Sequence, residues 1–368
     1  MKQSSSHSAP SVVALEPVKG DVRGAIRRAL EAVEWKQAIP AGAEVSLKVN
    51  LGWDLFIPGS VTSPLFAEAL IREIQDHVGK IYMVEADQVL EDVERAYHAT
   101  GMARVCARTG VEWVNMTRSR SAMLSMPDNV VLREIEIAEI LQRTVLITVP
   151  VMKTHAKTVI SGAIKNQWGC LPTMRHEHHL VLDDALADLC TAVHPALAVM
   201  DATVALEGNG PKSGSSRVVD RVLCSTDPVA LDTIQAIRMG IDPASVVHLA
   251  RCAERGLGTN DRKRIEVRGL DPESDAEVFE PARHNSVSAL ENLLRKSFFK
   301  RLFFDTPIFK ACLIGAKVYY RAWTALHARA QWRPILSHPL YGAQWRESWA
   351  GLEGKGPATP LAEGASRS

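Results

Sequence analysis

Lysine and histidine side chains are concentrated in one short stretch of this chain, which carries Lys153, His155, Lys157 and Lys165. A lysine ammonium captures anionic groups as a compact charge, and a histidine transfers protons near neutral pH. Together these side chains are suited to acid–base chemistry on a small anionic or carbonyl-bearing molecule. Solvated loop lysines are the alternative interpretation, and it applies best to any one of the lysines alone.

The sequence around them predicts a strand, a polar turn and a helix, in that order. Residues 145–149 form a short apolar run rich in β-branched residues, which is typical of a strand buried on both faces of a parallel sheet. Pro150 disfavours further ladder pairing, so we expect the lysine and histidine that follow it to lie in a loop. Small residues then open a helix that carries Lys165 and Asn166. Open α/β sheets bind ligands beyond the carboxyl ends of their strands, where this turn would lie.

Polar residues also follow the other strands that the apolar pattern predicts. Because the carboxyl ends of parallel strands meet at one edge of a sheet, we expect these side chains to form a cleft of mixed charge. In that cleft a lysine would hold an anion while an acid or a histidine transfers a proton. Asp227 is also placed to cap the helix that follows it. The strand-end residues are Lys48 and Asn50, Glu85 and Asp87, Lys153 and His155, Asp201, and Ser225 and Asp227.

A glycine-containing turn, EGNGP at residues 207–211, follows one of these strands. Its two glycines let the backbone approach a ligand closely and present N–H groups to an anion. No helix opens on the turn with the spacing of a Walker or dinucleotide-binding motif, so the glycines alone do not predict a nucleotide. We count the first four residues of this turn as ligand-binding candidates.

A histidine-rich segment, RHEHHL at residues 175–180, precedes two aspartates. Imidazole and carboxylate groups are ordinary metal ligands, so a metal site is one interpretation and a solvated loop is another. Adjacent His178 and His179 cannot both face one site in a regular element, and we expect one of them to act as an acid or base. The predicted catalytic residues are therefore Lys153, His155, Lys165, His178, His179 and Asp201, and the predicted ligand-binding residues are Lys48, Asn50, Asn166, Glu207, Gly208, Asn209, Gly210, Ser225 and Asp227.

Composition restricts the class of protein. The 368 residues are 46% hydrophobic and 23% charged, as in soluble globular proteins, and the formal net charge of +1 gives no general attraction to nucleic acid. The six cysteines form no CxxC pair, which favours a reducing compartment and argues against a cysteine-only zinc or iron–sulfur site. The opening MKQSSSHSAP lacks the apolar segment of a signal peptide, and no uncharged apolar run reaches the roughly 18 residues that span a bilayer. We therefore expect a cytoplasmic protein.

Strand and helix patterns alternate from residue 11 to about residue 270. This alternation predicts an α/β fold with a layered, mostly parallel sheet and helices on both faces. We expect residues 1–10 to form a disordered leader and residues 351–368 a disordered tail, because both are polar.

Residues 286–350 differ in composition from the rest. Between Arg295 and Arg333 there are nine Lys or Arg and one acid, Asp305, which predicts a basic, aromatic, helical extension. Such helices either pack on a core or lie on an anionic surface. We favour packing of the extension on the core over contact of residues 295–333 with a membrane or a protein partner; the aromatic residues concerned are Phe298, Phe303 and Phe309.

Several spaced blocks, read together, resemble one protein family. Five blocks occur in the order typical of the DUF362 (domain of unknown function) family, over about residues 45–269: VSLKVNLGWD, VPVMKTHAKTVISGAIKNQWGCLP, the downstream His178-His179, VMDATVALEGNGPKSG and STDPVALD. The resemblance implies an α/β fold. Many members also carry a ferredoxin-like cluster module, and this chain departs from them because it lacks the 4Fe–4S cysteine motif.

A second resemblance covers only a few residues. The K-x-H and S-G-x-x-K spacing is distantly similar to the amino-terminal domain of nickel-dependent lactate racemases, in which a lysine and histidines serve a nickel pincer nucleotide. That similarity would give the active roles to Lys165, or to Lys153 and His155, and it leaves a metal or nucleotide-derived cofactor open.

Taken together, the residues predict an intracellular α/β enzyme that uses lysine and histidine acid–base chemistry on a small anionic or carbonyl-bearing substrate. The alternative is a carrier that binds a cofactor or metal and docks on a partner or membrane through its basic carboxyl-terminal helices.

Overall fold

The computed structural model describes residues 9–54, 57–88, 92–173, 180–210, 214–282, 314–315, 318–319, 322 and 329–346. The strands are β1 (Ser11–Pro17), β2 (Val45–Lys48), β3 (Ile81–Glu85), β4 (Glu112–Asn115), β5 (Ser121–Ser125), β6 (Glu134–Ala138), β7 (Val145–Thr148), β8 (Val151–His155), β9 (Val159–Ile160), β10 (Leu197–Glu207), β11 (Ser215–Ser225) and β12 (Ile265–Gly269). The α-helices are α1 (Val22–Ala32), α2 (Pro64–Ile74), α3 (Val93–Ala99), α4 (Met102–Thr109), α5 (Glu139–Arg143), α6 (Gly162–Asn166), α7 (Leu182–Ala192), α8 (Pro228–Arg238), α9 (Val247–Glu254) and α10 (Arg329–Ser337).

One large sheet organises these elements. Its strands follow the order β12, β1, β11, β10, β7, β2, β3, β4, and β8 pairs with β10 beyond the end of β7. β11 runs antiparallel to both of its neighbours, and the other pairs along this order are parallel. The predicted α/β fold with a mostly parallel sheet and helices on both faces is therefore confirmed. Apart from this sheet, β5 and β6 pair with each other as a separate antiparallel ribbon.

The connections that leave β2 and β7 go to opposite faces of the sheet. After β2 the chain enters α2, whose Phe66 and Leu70 lie in one apolar core together with Ile26 of α1. After β7 it reaches α6 by way of the β8–β9 hairpin, and Ile164 of α6 lies in the other core, with Ile234 of α8. The strand order thus reverses between β2 and β7. In open α/β sheets such a reversal opens a crevice at the carboxyl ends of the two strands.

The polar loop predicted after Pro150 is wrong, because the chain continues there as a strand. Pro150 has no N–H to donate, but its carbonyl accepts a hydrogen bond of 2.8 Å from the amide of Asp201 in β10. β8 then takes the place of β7 beside β10, with an irregular register between them, and also pairs with β9. Lys153 and His155 are therefore alternate residues of a strand, and alternate residues project from the same face of a strand.

The carboxyl-terminal extension packs on the sheet domain through its last described segment, residues 329–346. Trp332, Tyr341 and Trp345 are each at most 1% exposed and lie in the same apolar core as α1 and α2. Gln344 accepts a hydrogen bond of 2.8 Å from the amide of Leu65 at the start of α2. Residues 329–346 therefore pack on the core, and Phe298, Phe303 and Phe309, on which the prediction was based, lie outside the described residues. Among the helices described, none has the length and apolar character needed to cross a membrane.

We expect Trp332→Ala to lower the free energy of unfolding by roughly 3–5 kcal/mol, because it removes a buried aromatic side chain from the core. The neighbouring Arg333 is exposed, so Arg333→Ala is the matched control and should change the stability by less than about 0.5 kcal/mol. Urea denaturation of both variants measures the difference. An equal, small effect of the two substitutions would show that the extension is only loosely attached.

Candidate functional site

A buried ion pair joins the carboxyl ends of β2 and β3, next to the reversal of strand order. Lys48 Nζ lies 2.8 Å from Glu85 Oε2 and also donates to the carbonyl of Val49 at 2.8 Å. Both charged side chains are at most 2% exposed. A Cβ added to Gly169 would lie 2.6 Å from Lys48 Nζ and would also clash with the carboxylate of Glu85, so only glycine fits there. Removing one charge of such a pair typically costs about 3–5 kcal/mol, since the other is left buried and uncompensated.

Asn166, the last residue of α6, joins the ends of β2 and β7. Its amide donates to the carbonyl of Lys48 at 3.0 Å and to the hydroxyl of Thr148 at 2.9 Å. Its carbonyl oxygen accepts from the amide of Asn50 at 3.0 Å. Four sequence-predicted residues, Lys48, Asn50, Lys153 and Asn166, are therefore brought into one hydrogen-bonded network.

Lys153 forms the other end of this network. Its ammonium donates to Asn50 Oδ1 at 3.0 Å and to the carbonyl of Ser60 at 2.6 Å, and the residue is 3% exposed. Both of these acceptors lie on the connection from β2 to α2. Lys153 thus fixes that connection to β8.

Asp201 holds the same connection from β10. Its carboxylate accepts from the amide of Ser63, the residue that caps α2, at 2.9 Å and from the hydroxyl of Thr203 at 2.6 Å. Burial raises the pKa of Asp201, although these hydrogen bonds act in the opposite direction. Asp201 therefore orders the start of α2, and the catalytic role predicted for it stays untested.

The start of α6 is held by a residue that the sequence analysis missed. Asp232 of α8 accepts from the amides of Ala163 and Ile164 at 2.6 and 2.9 Å. Gly162 has a left-handed φ of 57° and packs against this carboxylate, where a Cβ would clash. Burial raises the pKa of Asp232 to about 7. Asp232 is the last residue of the STDPVALD block, in which the predicted site residues are Ser225 and Asp227.

His155 and Lys165 are partly exposed, whereas Lys48, Lys153 and Asn166 of the network are buried. The Nδ1 atom of His155 accepts from the amide of Lys157 at 3.0 Å, so the neutral imidazole carries its proton on Nε2. Lys165 lies over the ring of Trp168, with Nζ 5.8 Å from the ring centroid.

The EGNG turn packs against β8, beside Lys153. The carbonyl of Gly208 accepts from the hydroxyl of Thr154 at 2.9 Å, and Gly210 lies so close to the carbonyl of Thr154 that a Cβ would clash. The Glu207 carboxylate lies 3.1 Å from Arg217 of β11. Asn209 belongs to the same turn. The ligand-binding role predicted for the four turn residues stays a prediction.

Ser225 and Asp227 lie at the amino-terminal ends of the neighbouring strands, away from the ends of β2 and β7. The expectation that the end of β11 joins the cleft is therefore wrong. β11 is antiparallel to β10, and its last residue, Ser225, pairs with Ala198 near the start of β10. Asp227 caps α8 by accepting from the amides of Val229 and Ala230, both at 2.9 Å.

His178 and His179 lie outside the described residues. Within the part of the chain that the structure describes, no three His, Cys, Asp or Glu side chains converge as metal ligands.

Comparison with known proteins gives one family match. The family described as "Domain of unknown function (DUF362)" matches residues 45–236, which include the whole network. The thylakoid-associated protein sll1697 of Synechocystis sp. is 32% identical over 130 residues, which are 33% of this chain and 40% of that protein. This chain therefore matches well under half the length of that relative.

A solved structure also resembles this chain at low similarity. The lactate racemase apoprotein from Thermoanaerobacterium thermosaccharolyticum aligns over 64% of this chain and 59% of its own, with a TM-score of 0.41 and 11% identity.

The raised pKa of Asp232 predicts how stability depends on pH. Between about pH 4 and pH 7 the folded protein retains a proton that the unfolded chain has released, so raising the pH favours unfolding. The free energy of unfolding should fall across this window by up to about 1.4 kcal/mol per pH unit. Asp232→Asn should flatten the slope, and urea denaturation at pH 5 and pH 7.5 measures it.

The pKa of Asp201 is also raised, so Asp201 likewise makes the free energy of unfolding fall as the pH rises. The effect of Asp232 is therefore the difference between the slopes of the wild type and Asp232→Asn. Asp188 is the matched control. The pKa of Asp188 is lowered despite the opposing effect of burial, since it accepts hydrogen bonds from three backbone amides and from Arg255. Asp188→Asn should therefore leave the slope between pH 5 and pH 7.5 intact. An unchanged slope in Asp232→Asn would show that Asp232 is ionised throughout.

Proposed function

Because this chain belongs to DUF362, a family of unknown function, we infer its role from its own site and propose an enzyme. The enzyme uses lysine and histidine acid–base chemistry on a small anionic or carbonyl-bearing substrate in the cytoplasm. The observation that carries the proposal is the position of the network at the reversal of strand order between β2 and β7, where α/β sheets bind their ligands.

The network supports this proposal by its composition. A buried array of amide and ammonium groups costs stability unless every member is satisfied, and a hydrophobic core would hold the same strands at less cost. Lys153, Asn50 and Asn166 fix the walls of the crevice through directional hydrogen bonds. Fixed walls of this kind place reacting groups accurately, as acid–base catalysis requires.

The two partly exposed side chains take the chemical roles. Lys165 holds the anionic end of the substrate by its charge, next to the aromatic ring of Trp168. His155 donates a hydrogen bond from its Nε2–H to an oxygen of the substrate and polarises it, because its Nδ1 atom already accepts from the amide of Lys157. Lys48 and Asp201 take structural roles, since their charged atoms bind protein groups and are buried.

One observation favours a second candidate, a carrier that docks on a membrane. The relative from Synechocystis sp. is named as thylakoid-associated, and Ile314, Val318 and Tyr319 of the basic extension are more than half exposed. A carrier would retain a stoichiometric small molecule or metal when isolated, and native mass spectrometry with metal analysis detects either. An enzyme would instead release its product.

We expect pyruvate, a small anion that carries a carbonyl group, to raise the melting temperature of the wild-type protein. At a concentration 100 times its Kd a ligand stabilises a protein by about 2.7 kcal/mol. Lys165→Met should abolish this stabilisation while leaving the unliganded melting temperature nearly unchanged, because Lys165 is partly exposed. Differential scanning fluorimetry gives both values.

Lys263→Met is the matched control, since Lys263 is exposed and lies just before β12 at the far edge of the sheet. It should respond to pyruvate as the wild type does. Equal stabilisation of Lys165→Met would remove Lys165 from the site. The absence of any effect of pyruvate on the wild type would contradict the proposed substrate class.

A further inference from the structure

Residues 275–280, between β12 and the carboxyl-terminal extension, form a strap across the end of α8 and the β10–β11 hairpin. The amides of Glu277 and Phe279 donate to the carbonyls of Arg238 and Met239, at 3.0 and 3.1 Å. The side chain of Phe279 is 2% exposed and lies in the core that contains α6 and α8. The strap is therefore held both by its backbone and by a buried side chain.

Arg217 of β11 holds this strap against the EGNG turn. Its guanidinium donates to the carbonyl of Val278 in the strap at 3.0 Å and to the carboxylate of Glu207 in the turn at 3.1 Å. It also pairs with Glu277 and lies 5.0 Å from the ring centroid of Phe279. The planar fork of N–H donors in a guanidinium suits it to bind several acceptors at once, so Arg217 fixes the turn and the strap relative to each other.

The backbone of the turn is bonded to the strap as well. The amide of Gly208 donates to the carbonyl of Glu280 at 2.8 Å, and the amide of Glu280 donates to the carboxylate of Glu207 at 3.1 Å. The amide of Gly210 donates to the carbonyl of Gly208 at 2.8 Å. Both glycine amides of the turn are thus bonded within the protein, and the turn has a fixed position on the strap.

Thr154 connects the turn to the end of β8. Its side chain is buried, and its hydroxyl donates to the carbonyl of Gly208 at 2.9 Å. The pairing of β8 with β10 ends at Lys153, and Thr154 and His155 pair with β9. β9 has only two residues, and one of them, Val159, has a left-handed φ of 65°, which is costly for a β-branched residue. The contact of Thr154 with the turn therefore holds the end of β8 where the sheet pairing is weak.

We propose that Arg217 and Thr154 are positioning residues for His155. Arg217 fixes the turn against the strap, and Thr154 fixes the end of β8 against the turn. His155 follows Thr154 directly, and a group that polarises a substrate acts only at a defined distance and angle. The inference rests on the role of His155 in the proposed function and adds the contacts that hold this side chain in place.

Thr154→Val keeps the shape of the side chain but removes its hydroxyl, so the contact with Gly208 is lost. We expect this variant to bind pyruvate about three- to tenfold more weakly than the full-length wild type, which is the effect of losing one hydrogen bond. Thr154→Ser retains the hydroxyl and should restore the wild-type affinity. Isothermal titration calorimetry measures the three affinities.

The ¹⁵N spectrum of His155 distinguishes a positioning role from a general loss of stability. In folded wild-type protein labelled with ¹⁵N-histidine, the Nδ1 atom of the neutral imidazole should be unprotonated, because it accepts from the amide of Lys157. Thr154→Val should give a mixture of the two tautomers, since the end of β8 is no longer held. Thr154→Ser should give the wild-type spectrum.

Arg217→Lys tests the contact between the turn and the strap. A lysine lacks the planar fork with which Arg217 binds acceptors on both, so we expect a weaker affinity for pyruvate and the same change in the His155 spectrum. Arg221→Lys is the matched control, because Arg221 lies on the same strand but holds the strap at Asp275, with nitrogen–oxygen distances of 2.6 and 3.0 Å. It should keep the wild-type affinity and spectrum.

Wild-type affinity and an unchanged His155 spectrum in Thr154→Val and Arg217→Lys would overturn the inference. So would an equal change in Arg221→Lys, because the effect would then come from lost stability. Either result would leave the proposed function standing if pyruvate still stabilises the protein through Lys165. If the wild type does not bind pyruvate, the proposed function fails, and the His155 spectra alone decide whether these residues position the side chain. Should Thr154→Val not fold, Arg217→Lys decides the question.

Discussion

Asn166 is the contact on which the crevice depends. A side-chain amide presents a donor group and an acceptor in one plane, and Asn166 uses both to connect the ends of β2 and β7 with the connection from β2 to α2. An aspartate has the same shape but no donors, and a leucine has neither group. Because α6 ends at this residue, the helix that carries Lys165 is positioned by the sheet edge at one end and by Asp232 at the other.

Opposite charges hold the connection between β2 and α2 from two sides. Lys153 binds the carbonyl of Ser60, and Asp201 binds the amide of Ser63. Both side chains are buried, and each binds a backbone group of this connection. Hydrogen bonds depend on angle as well as on distance, so these two contacts fix the orientation of the segment as well as its position. A purely apolar contact does not fix orientation in this way.

The sequence predicts the alternation of strands and helices because each apolar run is local, but it misses β8, whose last three residues are polar. The residues at the ends of β2, β3 and β8 do lie near one another. The sequence does not predict the direction of β11, since the same apolar pattern occurs in parallel and antiparallel strands. The prediction for Ser225 is wrong for this reason, because the end of β11 lies beside the start of β10. Nor does the sequence identify Asp232 as a site residue, because it lies in a helix whose pattern is typical of a buried structural helix. Asp232 binds the start of α6 although it lies 69 residues away in the sequence, and a local sequence pattern does not predict such a long-range contact.

The position of Trp345 determines the order in which the protein can be completed during synthesis. The core that contains α6 and α8 includes no described residue beyond Phe279, so its members have all been translated when the carboxyl-terminal extension begins. The core on the other face needs Trp332, Tyr341 and Trp345, which are among the last described residues of the chain. One face of the sheet can therefore close on the ribosome before residue 332 is translated, whereas the other stays incomplete until Trp345 has been added. Until then, its apolar surface is exposed to chaperones and to neighbouring chains.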